Sequence, residues 1–291
     1  MGLSGDKLLA RVREEFAARI FDSPISEAGM SSIGVGAALE GVRPIIPFGT
    51  ASFVFRAWDQ VLHEAGLSRY MSNGANSVPI TFHMQHGLRG GGSAQHSQSP
   101  QAMFWNCPGL EIVLPSSPAD AKGLFLTAVR SDNPTVFIDH SKLMNRESDV
   151  PDGDQGIPFG VADIKRAGGD VTIVATSLQV VTALEAAEQL AADGIEAEVI
   201  DPRTLVPFDT ETVLESVART GRLVVVDECA PRCSVASEIC ATVAEQGFGN
   251  LKAPPRRVTR MEVPVPAAQV LEDFIGPSAE RVAQAVREVV V

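Results

Sequence analysis

The chain has 291 residues, 45% hydrophobic and 21% charged, a composition that fits a folded globular protein and excludes a disordered one. A formal net charge of -12 argues against nucleic-acid binding and repels anionic membrane surfaces. No apolar run approaches the roughly twenty residues of a membrane span, and "MGLSGDKLLARVREEF" contains no signal-peptide core, so the chain reads as cytoplasmic with neither nucleic-acid nor membrane partners.

Short apolar runs alternate with amphipathic ones, which predicts an α/β fold of two domains, each a mainly parallel sheet flanked by helices. Residues 6–18 read as a helix. A second helix runs from about Glu27 to Glu40, with Ser26 as N-cap and Gly41 and Pro44 as stop signals. A strand at 43–48 leads to an apolar-rich helix at 51–66. The strand at 78–84 is followed by a glycine-rich loop, "HGLRGGGSAQHSQS" (86–99). A strand at 110–117 runs into a helix capped by Ser117, with Asp120 at its third position, and a strand at 134–140 closes this half.

The periodicity breaks after 140, and residues 151–169 read as a linker between a first domain (1–150) and a second (170–291). In the second, strands at 170–177, 195–201 and 222–228 alternate with a helix at 178–193 and one capped by Asp209. A helix at 278–290 ends the pattern. Cys107, Cys229, Cys233 and Cys240 form no CxxC and have no neighbouring histidine, so they read as reduced thiols and not as a zinc set. The cluster Arg256, Arg257, Arg260 reads as a solvated strand edge.

Neither glycine-rich stretch supports a nucleotide site. In "GVGAALEG" (34–41) the position needing a third small residue is Leu39, and "GLRGGG" (87–92) lacks a following Gly-Lys-Ser/Thr. Small residues at 28–36 instead let a helix or a flat ligand approach the backbone. Glu27 in the first turn is either a helix-start acid stabilised by the dipole or a working carboxylate.

The segments "FDSPISEAGM", "YMSNG", "AQHSQS", "PGLEIVLPSSPADAKGL" and "RSDNPTVF", with "DVTIVATS", "AEVIDPRTLVPFD" and "TGRLVVVDE" later, occur in order from about residue 8 to the end. Together they closely resemble the beta subunit of thiamine-diphosphate-dependent 2-oxo acid dehydrogenases and their acetoin-cleaving relatives. The resemblance implies a transketolase-like pyrimidine-binding domain followed by a transketolase C-terminal domain, the latter serving assembly. It assigns Glu27 to the pyrimidine N1′ of thiamine diphosphate, where a carboxylate shifts the ring toward the imino form that takes the thiazolium proton. Phe53 matches the aromatic that packs on the pyrimidine, though an aromatic on an apolar helix face also suits a core. His96 matches the histidine that handles substrate or the incoming lipoyl arm, though a loop histidine can also be merely solvated. Ile25 and Tyr70 are expected to line the same pocket.

Three departures stand out. No Gly-Asp-Gly segment with a downstream asparagine is present, so Mg2+ and the diphosphate are assigned to a separate alpha subunit, and this chain is expected to hold no metal. The family's first helix, strand and loop, which precede "KLLARVREEF", have no counterpart here, and the expectation is that the partner chain supplies that element or that the start of the sequence is truncated. "HMQHGLRGGG" replaces the usual run before His96, which brings His83, His86 and Arg89 near the pocket, while Pro47 stands where a glutamate is frequent. His83 and His86 are either contacts to a hydroxylated or acidic substrate or satisfied loop histidines.

The resemblance thus implies a beta subunit that, with its alpha partner and a second copy of itself, decarboxylates a 2-oxo acid and passes the acyl group to a lipoyl carrier. A split transketolase or carboligase, which would join the same carbanion to an aldehyde or ketone, is the rival. A silent structural subunit is the reading from another class, and the joint presence of Glu27, Phe53 and His96 speaks against it.

Overall fold

The computed structural model describes residues 7–290. Two five-stranded sheets organise it. In the first unit, α1 (Lys7–Glu15) precedes α2 (Glu27–Leu39), β1 (Ile45–Thr50) and a long helical run ending in α3 (Leu67–Met71). Then follow β2 (Thr81–His86), the short α4 (Ser93–His96), α5 (Gln101–Trp105), β3 (Glu111–Val113), α6 (Pro118–Arg130) and β4 (Thr135–His140). The second unit comprises β5 (Asp163–Arg166), β6 (Val171–Ala175), α7 (Leu178–Ala192), β7 (Ala197–Asp201), β8 (Thr204–Val206), α8 (Thr210–Thr220) and β9 (Leu223–Val226). It ends with α9 (Val235–Gln246), β10 (Arg256–Val258), α10 (Gln269–Ile275) and α11 (Ala279–Val290).

The sheet orders are β1-β2-β4-β3-β8 and β10-β9-β6-β7-β5. Pairing is parallel except at β8 on β3 and β5 on β7. The central strands β6 and β9 are buried along their length, as parallel strands covered on both faces must be.

Local chemistry explains most of the boundaries. Ser26, Ser117 and Asp209 each accept a hydrogen bond from the backbone N–H three residues on. The run predicted as one helix at 51–66 is wound in two ways. It is a 3₁₀ helix over Ala51–Ala57 and a π-helix over Gln60–Gly66. The tighter winding stacks Ala51, Val54 and Ala57 on one face, three residues apart, and all three are fully buried.

Two segments depart from the predicted organisation. The stretch read as a linker over 151–169 contains β5, which lies in the second sheet against β7. Its alternation is too short to register as a strand, and long-range pairing decides it. The short β8 crosses to the edge of the first sheet, where Ile112 faces Val206. The arginine cluster does lie at an edge strand, with Arg256 and Arg257 exposed on β10. The cysteines are free thiols.

Candidate active site

The short connection 40–44 returns the chain from the end of α2 to the start of β1, so α2 runs against the strand direction. Its N-terminus, with Glu27, therefore lies at the end of the first sheet where the parallel strands finish. The 51–57 segment leaves β1 at that same end, as does the loop leaving β2. Ligand sites in parallel α/β sheets gather at this strand end.

Phe53 and His96 meet there edge to face, with ring centroids 5.4 Å apart. Glu27 is half-buried and His96 exposed in the single chain. Ile25, two residues ahead of Glu27, is 89% exposed. Four buried polar atoms flank these residues without a hydrogen-bond partner among the described residues. They are Ser31 Oγ, one turn along α2 from Glu27; Ser52 Oγ, beside Phe53; Ser97 Oγ, beside His96; and Arg89 Nε. Orphaned polar groups are rare in finished interiors, and half of the eight found among the described residues lie here, a setting that a polar, flat group would complete.

Two of the small residues of α2 serve the chain's own packing, while Gly36 faces open space. A Cβ on Gly34 would fall 2.7 Å from Ile46 Cδ1, and one on Gly29 would fall 2.9 Å from the capping Ser26 Oγ. These glycines seat the helix on the sheet and preserve its cap, which sets where Glu27 stands.

Three expected site residues lie elsewhere or are occupied. Tyr70 is 88% exposed on α3 and borders an open groove with Glu111, Asn133 and Pro134, residues at or before the beginnings of β3 and β4. The helical run from 51 carries the chain from the finishing end of β1 to the starting ends of β3 and β4, so Phe53 and Tyr70 lie at opposite ends of the sheet. His83 points to the sheet face covered by α6, where Nε2 pairs with Asp139 Oδ2 at 2.6 Å and the ring meets Phe125 and Phe137. His86 is 1% exposed, with Ser99 Oγ at 3.2 Å from Nδ1 and Ser177 Oγ at 3.4 Å from Nε2. Burial, reinforced by the neighbouring His140, pushes its pKa down to about 3, so the ring is neutral, with both nitrogens facing hydroxyls of this chain.

Sequence reasoning missed the polar junction behind the site. Glu228, just past β9, accepts from Leu88 N at 2.6 Å, His140 Nε2 at 2.9 Å and Gln179 Nε2 at 3.1 Å. Burial raises the pKa of this carboxyl, but His140, followed by His86 and the Leu88 amide, more than offsets it, and the acid is held below its usual range. Asp227 accepts from Gln101 Nε2 at 3.1 Å and Thr176 Oγ1 at 2.7 Å. The available signal was two acids directly after a fully apolar strand, at the end where parallel strands present functional groups.

This architecture is of the transketolase type. Residues 4–146 match the family described as transketolase, pyrimidine binding domain, and residues 160–282 match transketolase, C-terminal domain. A solved split-gene transketolase, described as an inactive beta4 tetramer, superposes with a TM-score of 0.82 over 99% of this chain and 89% of its own at 23% identity, a likeness of fold.

Sequence relatives narrow the class. The beta subunit of acetoin:2,6-dichlorophenolindophenol oxidoreductase from Cupriavidus necator is 46% identical, covering 93% of this chain and 80% of its own. The Bacillus subtilis protein of the same name is 44% identical, with 93% and 79% covered. The pyruvate dehydrogenase E1 component subunit beta of Rickettsia felis is 43% identical, with 93% and 83% covered. The chain belongs to this family of beta subunits, the thiamine-diphosphate-dependent oxidoreductases that work with an alpha partner.

Among the described residues no cluster of three or more His, Cys, Asp or Glu is arranged to hold a metal ion, and no helix is long and apolar enough to cross a membrane.

Proposed function

We propose that this chain is the cytoplasmic, pyrimidine-holding half of a heteromeric enzyme that decarboxylates a small 2-oxo acid and hands the acyl group to a lipoyl carrier. The observation that carries this reading is the meeting of Phe53 and His96 at the strand end where α2 begins with Glu27.

Thiamine diphosphate, when bound, supplies the electron sink for cleaving a carbon–carbon bond beside a carbonyl. Glu27 would hold its pyrimidine through a carboxylate hydrogen bond and bias the proton on that ring. Phe53 would pack against the ring and exclude water, and Ile25 would border it from the chain entering α2. His96, exposed on its loop, would hold or deliver a proton at the substrate carbonyl oxygen. The alpha subunit would bring the diphosphate and Mg2+ site, and a second copy of this chain would complete the assembly.

Acetoin cleavage is the second reading, favoured by the names of the Cupriavidus and Bacillus relatives. Both substrates require cleavage next to a carbonyl, and they differ in whether carbon dioxide or an aldehyde leaves. Assaying the complex assembled with its alpha chain, using a dye acceptor and either pyruvate or acetoin, separates them. Dye reduction with carbon dioxide release supports the first reading, and acetaldehyde release supports the second. A cofactor-bound complex that reduces no dye but joins the donor to an aldehyde would overturn both in favour of a carboligase.

A further inference from the structure

The glycine-rich loop that presents His96 is closed at its base by a hydrogen bond from Gly87 N to Gln98 O at 3.3 Å. Between these residues its anchors come largely from the second α/β unit. Glu228 takes the amide of Leu88 at 2.6 Å. Glu272, on α10, takes the amides of Gly90 at 2.5 Å and Gly91 at 3.0 Å, one on each carboxylate oxygen. Arg89 ties the loop to its own unit, with Nη1 donating to Thr50 Oγ1 at 3.2 Å and Nη2 to Gln85 O at 3.3 Å.

These contacts explain the glycines. Gly90 and Gly91 have φ of +80° and +98°, and this backbone lets two successive amides converge on one carboxylate. Gly87, at φ +94°, has no room for a side chain, since a Cβ would lie 2.1 Å from His140 Nε2.

Glu272 is an expensive way to stabilise a short helix. It is 0% exposed; its ion pair with Lys142 Nζ is long, at 3.9 Å, and partly solvated, and the Arg89 guanidinium of the same loop acts on it only through space. A buried carboxylate so weakly paired costs more than an apolar side chain of the same size would. Its two amide contacts are to the loop that ends in His96. We propose that Glu272 and Glu228 are positioning residues, which fix the His96 loop through the amides of Leu88, Gly90 and Gly91, so that the second unit sets the geometry of a site built on the first. The proposal rests on the reading of His96 as an active-site residue and gives the second unit a role beyond assembly.

The test has two arms. Amide hydrogen exchange over 86–98 in the chain alone reads the anchors directly and needs no turnover. Glu272→Ala should lower protection at Gly90 and Gly91 by about tenfold or more. Glu272→Gln, which keeps one acceptor oxygen, should give an intermediate loss and serves if the alanine variant does not fold. Asp273→Ala, an exposed neighbour, should leave the loop unchanged. In the complex with the alpha subunit, loosening of a supporting contact should reduce kcat by about 10–100-fold. KM for the donor should stay within about threefold, because His96 would be misplaced for chemistry while the pocket persists. Unchanged exchange in both Glu272 variants overturns the proposal, as does raised exchange with wild-type kcat. A wild-type complex without turnover would count against the reading of His96, and the exchange arm would still decide whether these carboxylates hold the loop.

Discussion

Asp201, at the end of β7, offers a sharp test of the electrostatics at the junction between the units. It is fully buried beside Asp120 and Asp163, and these three carboxylates share two cations, Lys165 and Arg203. Asp120 and Asp163 take the short contacts, while Lys165 Nζ remains 3.9 Å from Asp201. Burial dominates, partly offset by the Ser116 hydroxyl, and raises the Asp201 pKa to about 6. The unfolded chain titrates this group near 3.9. Between those values the folded state holds the extra proton, so this group's contribution to stability falls as pH rises through the window and is flat above it. The cost is about 1 kcal/mol at pH 4.5 and about 3 kcal/mol at pH 7. Asp201→Asn keeps an acceptor for Arg203 N and offers a donor toward Ser116, and it abolishes the titration. Urea unfolding of both proteins at the two pH values isolates the term from all other titrating groups. The variant should gain about 2 kcal/mol relative to wild type between pH 4.5 and 7. Parallel stability–pH curves would refute the reasoning.

Other consequences follow from the same contrasts of burial. Glu228→Ala strips the acceptor from three buried donors and should destabilise by about 3–5 kcal/mol, the cost of breaking a buried pair. Asp154→Ala, which breaks an ion pair with Arg130 whose side chains are 52% and 87% exposed, should stay within about 0.5 kcal/mol in the same denaturant titration. Thiol labelling of the native chain should mark exposed Cys233 promptly. Cys229, whose thiol burial and Asp227 hold well above its usual pKa, should react only on unfolding. Prompt labelling of Cys229 in a mass-mapped digest would contradict its placement.

What was legible in the sequence was local. Ser26, Ser117 and Asp209 announce their helices because an N-cap is a three-residue interaction. Parallel strands are legible as apolar runs, and an ordered set of motifs is what nominates Glu27, Phe53 and His96. What failed was long-range. Tyr70 belongs to one of the family-like motifs, but the helical run from 51 carries it away from Phe53 before the motif is reached. His83 and His86 adjoin the glycine-rich loop in sequence, which by itself says nothing about which way their rings face. Strand alternation sends His83 to the α6 face, and packing of the two units seals His86 against Ser177. Glu228 and Glu272 act on a loop 140 and 182 residues away in sequence, and no local pattern carries that information.

The most direct test of the central claim is turnover of Glu27→Gln in the complex co-expressed with its alpha subunit, with thiamine diphosphate binding measured on the same sample. Loss of a positioned acid–base group predicts a fall in kcat of about 10²–10⁴-fold, with the complex still assembled and cofactor affinity changed by no more than about tenfold. Turnover within about threefold of wild type would contradict the assignment of Glu27 and, with it, the account of this chain as the pyrimidine-holding subunit.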